Sequence, residues 1–262
     1  MFDAHAHLQD LRLRQAHDAW VDAAARAQIT GVCSCGTSPE DWQETAAVAE
    51  QPLPFIIVPG FGVHPWYVQS LPADWGEQLE YFLDHCPTAI IGEIGLDGIR
   101  DQIPMEEQEA VLRWQLELAA RLHRPVVLHG ARAWGKLVDV LKQYAHDIPG
   151  FVAHSFGGSA EILKELIKMG GYVSFSGTVC NLNATKVRLA AKETPASHLL
   201  VETDAPDLFP LGGTSIGNDD SNKPVNHPAN LPVILQTVAT LRGIAPEELS
   251  DITGANARRL FL

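Results

Sequence analysis

Positive charge is scarce in this sequence. Against 32 Asp and Glu stand only 19 Lys and Arg, a formal charge of −13 over 262 residues. That counts against a broad basic face of the kind that coats nucleic acid, but not against an enzyme that meets phosphates locally through metal ions. Cysteine is sparse too. Of the four, Cys33 and Cys35 are one residue apart, Cys86 and Cys180 are isolated, and no CxxC pair occurs. Reduced cytoplasmic thiols are therefore expected, with Cys33 and Cys35 read as core packing. Long apolar runs are missing. The longest stretch free of Asp, Glu, Lys and Arg, residues 51–73, carries five prolines and His64, which no membrane helix tolerates. No basic segment followed by an apolar run opens the chain, so no signal peptide and a cytoplasmic location are expected.

What is present is ordinary globular composition, 46% hydrophobic and 19% charged, over a length that closed α/β barrels take as a single domain. Short apolar runs alternate with amphipathic stretches along the whole chain. Candidate strands are residues 2–8, 31–37, 55–63, 89–96, 126–130, 151–156, 172–178 and 199–204. Candidate helices are 15–28, 41–50, 76–86, 106–123, 134–144, 160–169, 182–191 and 231–241. In residues 106–123, Val111, Gln115, Leu118 and Leu122 share one face, and Pro125 stops the helix. This rhythm predicts one (β/α)8 TIM barrel of the metal-dependent hydrolase type, a single domain over residues 1–262. A doubly wound sheet competes less well, because no GxGxxG turn follows the first strand. Residues 207–227, rich in Gly, Asn, Asp and Ser, interrupt the rhythm and would lie over the C-terminal face; their distal part, 214–223, also reads as a tolerated surface insertion.

Five of the eleven histidines fall at or just beyond predicted strand ends. In Asp3-Ala4-His5-Ala6-His7, a period of two sends Asp3, His5 and His7 to one side and Phe2, Ala4 and Ala6 to the other. Two imidazoles on one side of a strand end can share a divalent cation, with Asp3 orienting one of them. Glu93 lies inside the apolar run of residues 90–97, where a carboxylate costs several kcal/mol unless paired or metal-bound. His129, His154 and Asp204 each end a later strand. Any one of these reads as a satisfied core or loop residue; jointly they read as a metal centre. Glu202, two residues before Asp204, is a further candidate for the barrel interior.

These residues carry a resemblance. DAHAHL (3–8), GVHP (62–65), IGEIGLD (91–97), QLELAARLHRPVVLH (115–129), HSFGGS (154–159), ETDAP (202–206), NHPANLP (226–232) and NARRLF (256–261) stand in order along the chain. Together they are similar to the TatD-type metal-dependent deoxyribonucleases, a branch of the amidohydrolase-like barrels. The resemblance implies two divalent metal ions and hydrolysis of DNA phosphodiester bonds, on single-stranded ends because a barrel-mouth pocket favours them. It implies that His5, His7 and Asp204 bind the first metal, that Glu93 bridges both, and that His129 and His154 complete the second. His64 matches a family histidine near the scissile phosphate. Two cations about 3.5–4 Å apart need a bridging carboxylate and bring the pKa of a shared water near neutrality. Asp204 is then placed to take the proton of the attacking water. Imidazole-rich ligation suits Zn or Mn, and the carboxylates with a phosphate substrate admit Mg.

The chain departs from the family pattern where substrate would lie. Ala131 stands where Arg is frequent, with Arg132 and Lys136 as substitutes for a phosphate contact. Gly157 replaces a common Ser, and Trp66 follows His64-Pro65 where His is common. Trp66 and Trp134 read either as stacking platforms for bases or as wall residues. An oligonucleotide substrate, no membrane and a monomer are expected. An amidohydrolase or lactonase with the same centre is the alternative, although Glu93 stands where many such barrels carry a modified Lys. A non-catalytic member would be expected to have lost ligands that are all present here.

Overall fold

The structure, a computed structural model, describes residues 1–100 and 102–262. Eight parallel strands form one sheet in sequential order: β1 Phe2–Ala6, β2 Gly31–Cys35, β3 Ile56–Phe61, β4 Ile90–Asp97, β5 Val126–Ala131, β6 Phe151–Ala153, β7 Tyr172–Phe175 and β8 Leu199–Val201. The helices are α1 Leu11–Arg14, α2 His17–Arg26, α3 Trp42–Ala49, α4 Trp75–His85, α5 Met105–Leu122, α6 Trp134–Leu141, α7 Ala160–Lys168, α8 Thr185–Glu193, α9 Leu231–Arg242 and α10 Pro246–Phe261. The architecture is the (β/α)8 barrel expected. α5 ends at His123 in the left-handed conformation, two residues before Pro125. No helix among the described residues is long and apolar enough to cross a membrane.

Apolar side chains divide into two layers. Val32, Phe61, Ile91, Ile94, Leu96 and Leu128 face the helices. Phe2, Ala4, Cys33, Cys35, Val58, Ile90, Val127, Val152 and Leu200 fill the barrel. α10, for which no helix is expected from the sequence pattern, closes the bottom of that interior with Ala257, Leu260 and Phe261, the last stacked on Phe2 at 5.9 Å. Its signals are Pro246 at the first turn followed by Glu247 and Glu248.

Two bulges aim the functional residues. Asp3 pairs with Val32 but Ala6 with Ser34, an extra residue in β1. Strict alternation therefore fails: Phe2 and Ala4 face the interior, whereas Ala6 packs in the outer layer. In β4, Ile91 pairs with Val126 and Ile94 with Leu128, again one residue extra. Gly92 sits in this bulge, where a Cβ would meet Val127 Cβ at 2.8 Å. Gly95 follows at φ +150°, with β5 so close that a Cβ would come within 2.0 Å of the His129 carbonyl oxygen.

Asp3 does not orient a histidine. Its carboxylate closes the seam between the first and last strands, accepting Thr203 N–H at 2.8 Å and Thr203 Oγ1–H at 2.5 Å. Backbone bonds from Asp204 to the His5 carbonyl at 2.9 Å and from His7 to the Ala205 carbonyl at 2.7 Å complete the closure. Burial pushes the Asp3 carboxyl up to about 8. Asp3→Ala leaves a buried Thr203 N–H without a partner and should cost about 2–4 kcal/mol in denaturant unfolding. Asp3→Asn, which keeps an acceptor for that N–H, should recover most of the loss. Equal stability of Asp3→Ala and the parent would remove the seam role.

Candidate metal centre

The residues singled out from the sequence converge at the C-terminal ends of the strands. β6 and β8 stop three residues earlier than expected because Ser155 (φ 42°) and Asp204 (φ 54°) turn into the left-handed region. His154 and Asp204 thus leave the sheet and reach the mouth.

Glu93 stands at the middle, its side chain almost wholly buried. One oxygen, Oε2, faces His5 Nε2 at 3.2 Å and His7 Nε2 at 3.4 Å. The other, Oε1, faces His154 Nε2 at 2.6 Å, His129 Nδ1 at 2.9 Å and His64 Nε2 at 3.4 Å. Asp204 Oδ1 joins the first set, 3.4 Å from His5 Nε2 and 3.7 Å from His7 Nε2. Ligand atoms of His5, His7 and Glu93, of His5, His154 and Asp204, and of His64, Glu93 and His129 each fall within 4.8 Å of one another.

Partners on the far side of each ring decide which nitrogens offer lone pairs. His7 Nδ1 donates to the Cys35 carbonyl at 2.8 Å, leaving Nε2 free to coordinate. His129 Nε2 donates to Asp97 Oδ2 at 3.0 Å, leaving Nδ1 free beside His154 Nε2 at 3.3 Å. Facing lone pairs at such distances repel unless a proton or a cation lies between them, so the donor set fits divalent cations. His64 is different. Its Nδ1 accepts the Trp66 backbone N–H at 3.2 Å, and burial pushes its pKa down to about 4, so the neutral ring carries its proton on Nε2. Although its atoms lie close enough to coordinate, His64 presents a hydrogen-bond donor.

Electrostatics follow the same geometry. Burial pushes Glu93 up, but the imidazoles of His154, His64 and His5, with the His129 hydrogen bond, outweigh it and hold the carboxyl well below its usual range. Burial lowers His5 to about 4 and raises Asp204 to about 7. His154 and His7 are lifted despite burial, by Glu93 first. Cation binding therefore displaces protons from these rings.

A cavity of about 910 Å³ opens above the cluster, ample for a ligand of several nucleoside-sized groups. His64, Trp66, Arg132 and Trp134 all line it. Arg132, exposed and left-handed at φ 51°, stands at the rim. Trp134 packs on Phe156 at 5.0 Å and is 9% exposed, so it offers an edge of wall and no open face. Lys136 is held by Glu109 at 2.8 Å and does not line the cavity. Of the long connection, Asp207 and Leu208 reach the mouth. Asn226 ties that end down by donating to the Thr203 and Asp207 carbonyls, both at 2.9 Å, while 217–224 is an exposed turn closed by an Asn218–Pro224 bridge.

Glu202 apart, the residues that support the cluster carry no role in the sequence pattern. Glu202 was a candidate for the interior; its Oε1 accepts Ser155 N–H at 2.6 Å and lies 3.4 Å from His154 Nδ1. Asp97, quoted only as the end of a motif, orients His129. Two buried glutamines of α5 imitate backbone. Gln115 bonds both polar groups of Val63, at 2.7 and 3.2 Å, and so sets His64; Gln108 does the same for Asp97 at 2.7 and 3.1 Å. Their signal is a polar residue on the otherwise apolar face of α5. Arg12 is clamped between Asp10 at 2.8 Å and Asp207 at 3.0 Å on the rim.

A parallel barrel with imidazoles and a buried carboxylate gathered at its strand ends defines a metal-dependent hydrolase. The chain belongs to the family described as TatD related DNase, whose sequence model matches residues 2–262. It is 34% identical over 265 residues to a protein of Erwinia billingiae (strain Eb661) named 3'-5' ssDNA/RNA exonuclease TatD, covering 100% of this chain and 98% of that one. It is 30% identical to an uncharacterized metal-dependent hydrolase, YabD, of Bacillus subtilis (strain 168), covering 100% and 98%. Among solved structures it resembles YJJV, a TatD homolog from Escherichia coli k12, with TM-score 0.90, 28% identity and coverage of 100% and 97%.

Proposed function

We propose that the protein, one barrel unit over residues 1–262 working as a monomer, removes nucleotides from single-stranded DNA ends by metal-dependent hydrolysis. The observation that carries this reading is the division of Glu93, whose two oxygens face separate donor sets. His5, His7 and Asp204 would hold one divalent ion with Oε2, and His129 and His154 a second with Oε1; Zn, Mn and Mg all suit the donors. When bound, such ions acidify a water and neutralise phosphate oxygens, supplying the positive charge that the surface lacks.

The chain's own groups do the rest. Asp204, lifted by burial to about 7, accepts the proton of the attacking water. His64 donates Nε2–H toward a phosphate oxygen held above Glu93. Arg132 provides a cation at the rim, and Trp66 and Trp134 bound the space that a terminal nucleotide occupies. The named activity of the Erwinia relative supports single-stranded ends and adds RNA as a second polymer to test.

Chelator-treated protein resupplied separately with Mg²⁺, Mn²⁺ or Zn²⁺ should shorten an end-labelled single-stranded DNA oligomer stepwise. A matching RNA oligomer and a panel of lactones and amides form the other arms. Turnover of a lactone or amide with inert DNA would keep the centre and replace the substrate.

A further inference from the structure

Trp66 stands at the mouth, 38% exposed, yet the ring is engaged on two sides. The Arg100 guanidinium lies 3.7 Å from its centroid, so a base stacking on that face would have to displace a cation already there. On the inner edge, Nε1–H donates to Asp97 Oδ2 at 2.7 Å. The same oxygen accepts His129 Nε2–H at 3.0 Å, and Oδ1 accepts the backbone N–H groups of Ile99 and Arg100 at 2.6 and 3.1 Å. A carboxylate offers about four lone-pair sites, and all are taken. The indole N–H thereby fixes which direction Oδ2 has left for the histidine.

We propose that Trp66 is a positioning residue: acting through Asp97, it holds the His129 ring in the tautomer and plane that present Nδ1 beside Glu93 Oε1. This rests on His129 being a metal ligand. Partners in this position typically change metal affinity by about 10–100-fold. Trp66 is thus an anchor of the centre, and base stacking is not its role.

Trp66→Phe separates the two roles, since it keeps an aromatic face and removes the N–H. Its affinity for Co²⁺, read from the electronic spectrum of the titrated metal-free protein, should fall about tenfold or more. The thermal midpoint of the metal-free protein should stay unchanged, which separates weakened coordination from a disturbed fold. Added to Asp97→Asn, Trp66→Phe should weaken Co²⁺ binding no further. Unchanged Co²⁺ affinity in Trp66→Phe, a raised KM in Trp66→Ala as the only effect, or multiplying losses in the double variant would each overturn the proposal. His129→Ala distinguishes the failures. If it keeps full metal stoichiometry, the ligand reading falls and the proposal with it. If it loses metal while Trp66→Phe does not, only the Trp66 proposal falls.

Discussion

Glu93→Gln should reduce turnover on the order of 10³-fold or more and lower the metal content of the purified protein, while the barrel still folds. The amide keeps the volume and one acceptor. It replaces the other oxygen by a donor aimed at imidazole nitrogens, and it removes the one negative charge that both donor sets share. The metal-free variant should be less stable than the metal-free parent near neutral pH, though still folded. In the parent the surrounding imidazoles favour the ionised carboxyl, and removing one partner of such a buried cluster leaves His154 and His7 without the counter-charge that lifts them. Metal content by elemental analysis, thermal melting after chelation and turnover together test the assignment. Parental turnover would end the bridging role; lost turnover with a collapsed fold would make Glu93 a structural residue.

Much of this is legible in the sequence. All eight strands follow the apolar runs, because strands buried on both faces have to be apolar from end to end. The cluster His5, His7, Glu93, His129, His154 and Asp204 was legible because charged or imidazole groups at the ends of such runs need a reason. What escaped has physical causes. The bulges at β1 and β4 depend on cross-strand register, which no local period reveals. Asp3 looked like a histidine's partner because two residues along a strand share a face, but Thr203, just past β8 and 200 residues away, supplies its bonds. Asp97, Gln108 and Gln115 act by hydrogen bonds to residues 11–52 positions distant. α10 escaped because the expected eight βα units were already complete without it.

The same polar network bears on how an acidic protein handles a polyanion. Arg12 is neutralised by Asp10 and Asp207, Lys136 by Glu109, and Arg14 lies 3.9 Å from Glu44, so among the described residues the rim offers little unpaired positive charge beyond Arg132 and Arg100. Affinity for the substrate is then concentrated at the centre, where bound cations and the His64 donor lie. Binding should accordingly depend far more on divalent ions than on a basic surface.

Asp204→Asn should leave folding and substrate binding nearly intact and lower kcat about 10²–10⁴-fold at saturating metal. Asn tolerates the left-handed backbone of this position as readily as Asp, and an amide oxygen can still face the first donor set. It cannot take a proton. In the parent, kcat should rise with pH as Asp204 deprotonates; burial sets its carboxyl at about 7, and neighbouring cations draw the limb lower. That limb should vanish in the variant. Stability supplies an independent reading of the same carboxyl. A folded pKa raised from 3.8 to about 7 means that the neutral acid suits the fold, so the metal-free parent loses stability as pH climbs through that window. Asp204→Asn, uncharged throughout, should lose less over the same range. An acid limb that persists in the variant at saturating metal would move the proton acceptor elsewhere. Identical pH dependence of unfolding in the two metal-free proteins would show that burial does not raise this group at all.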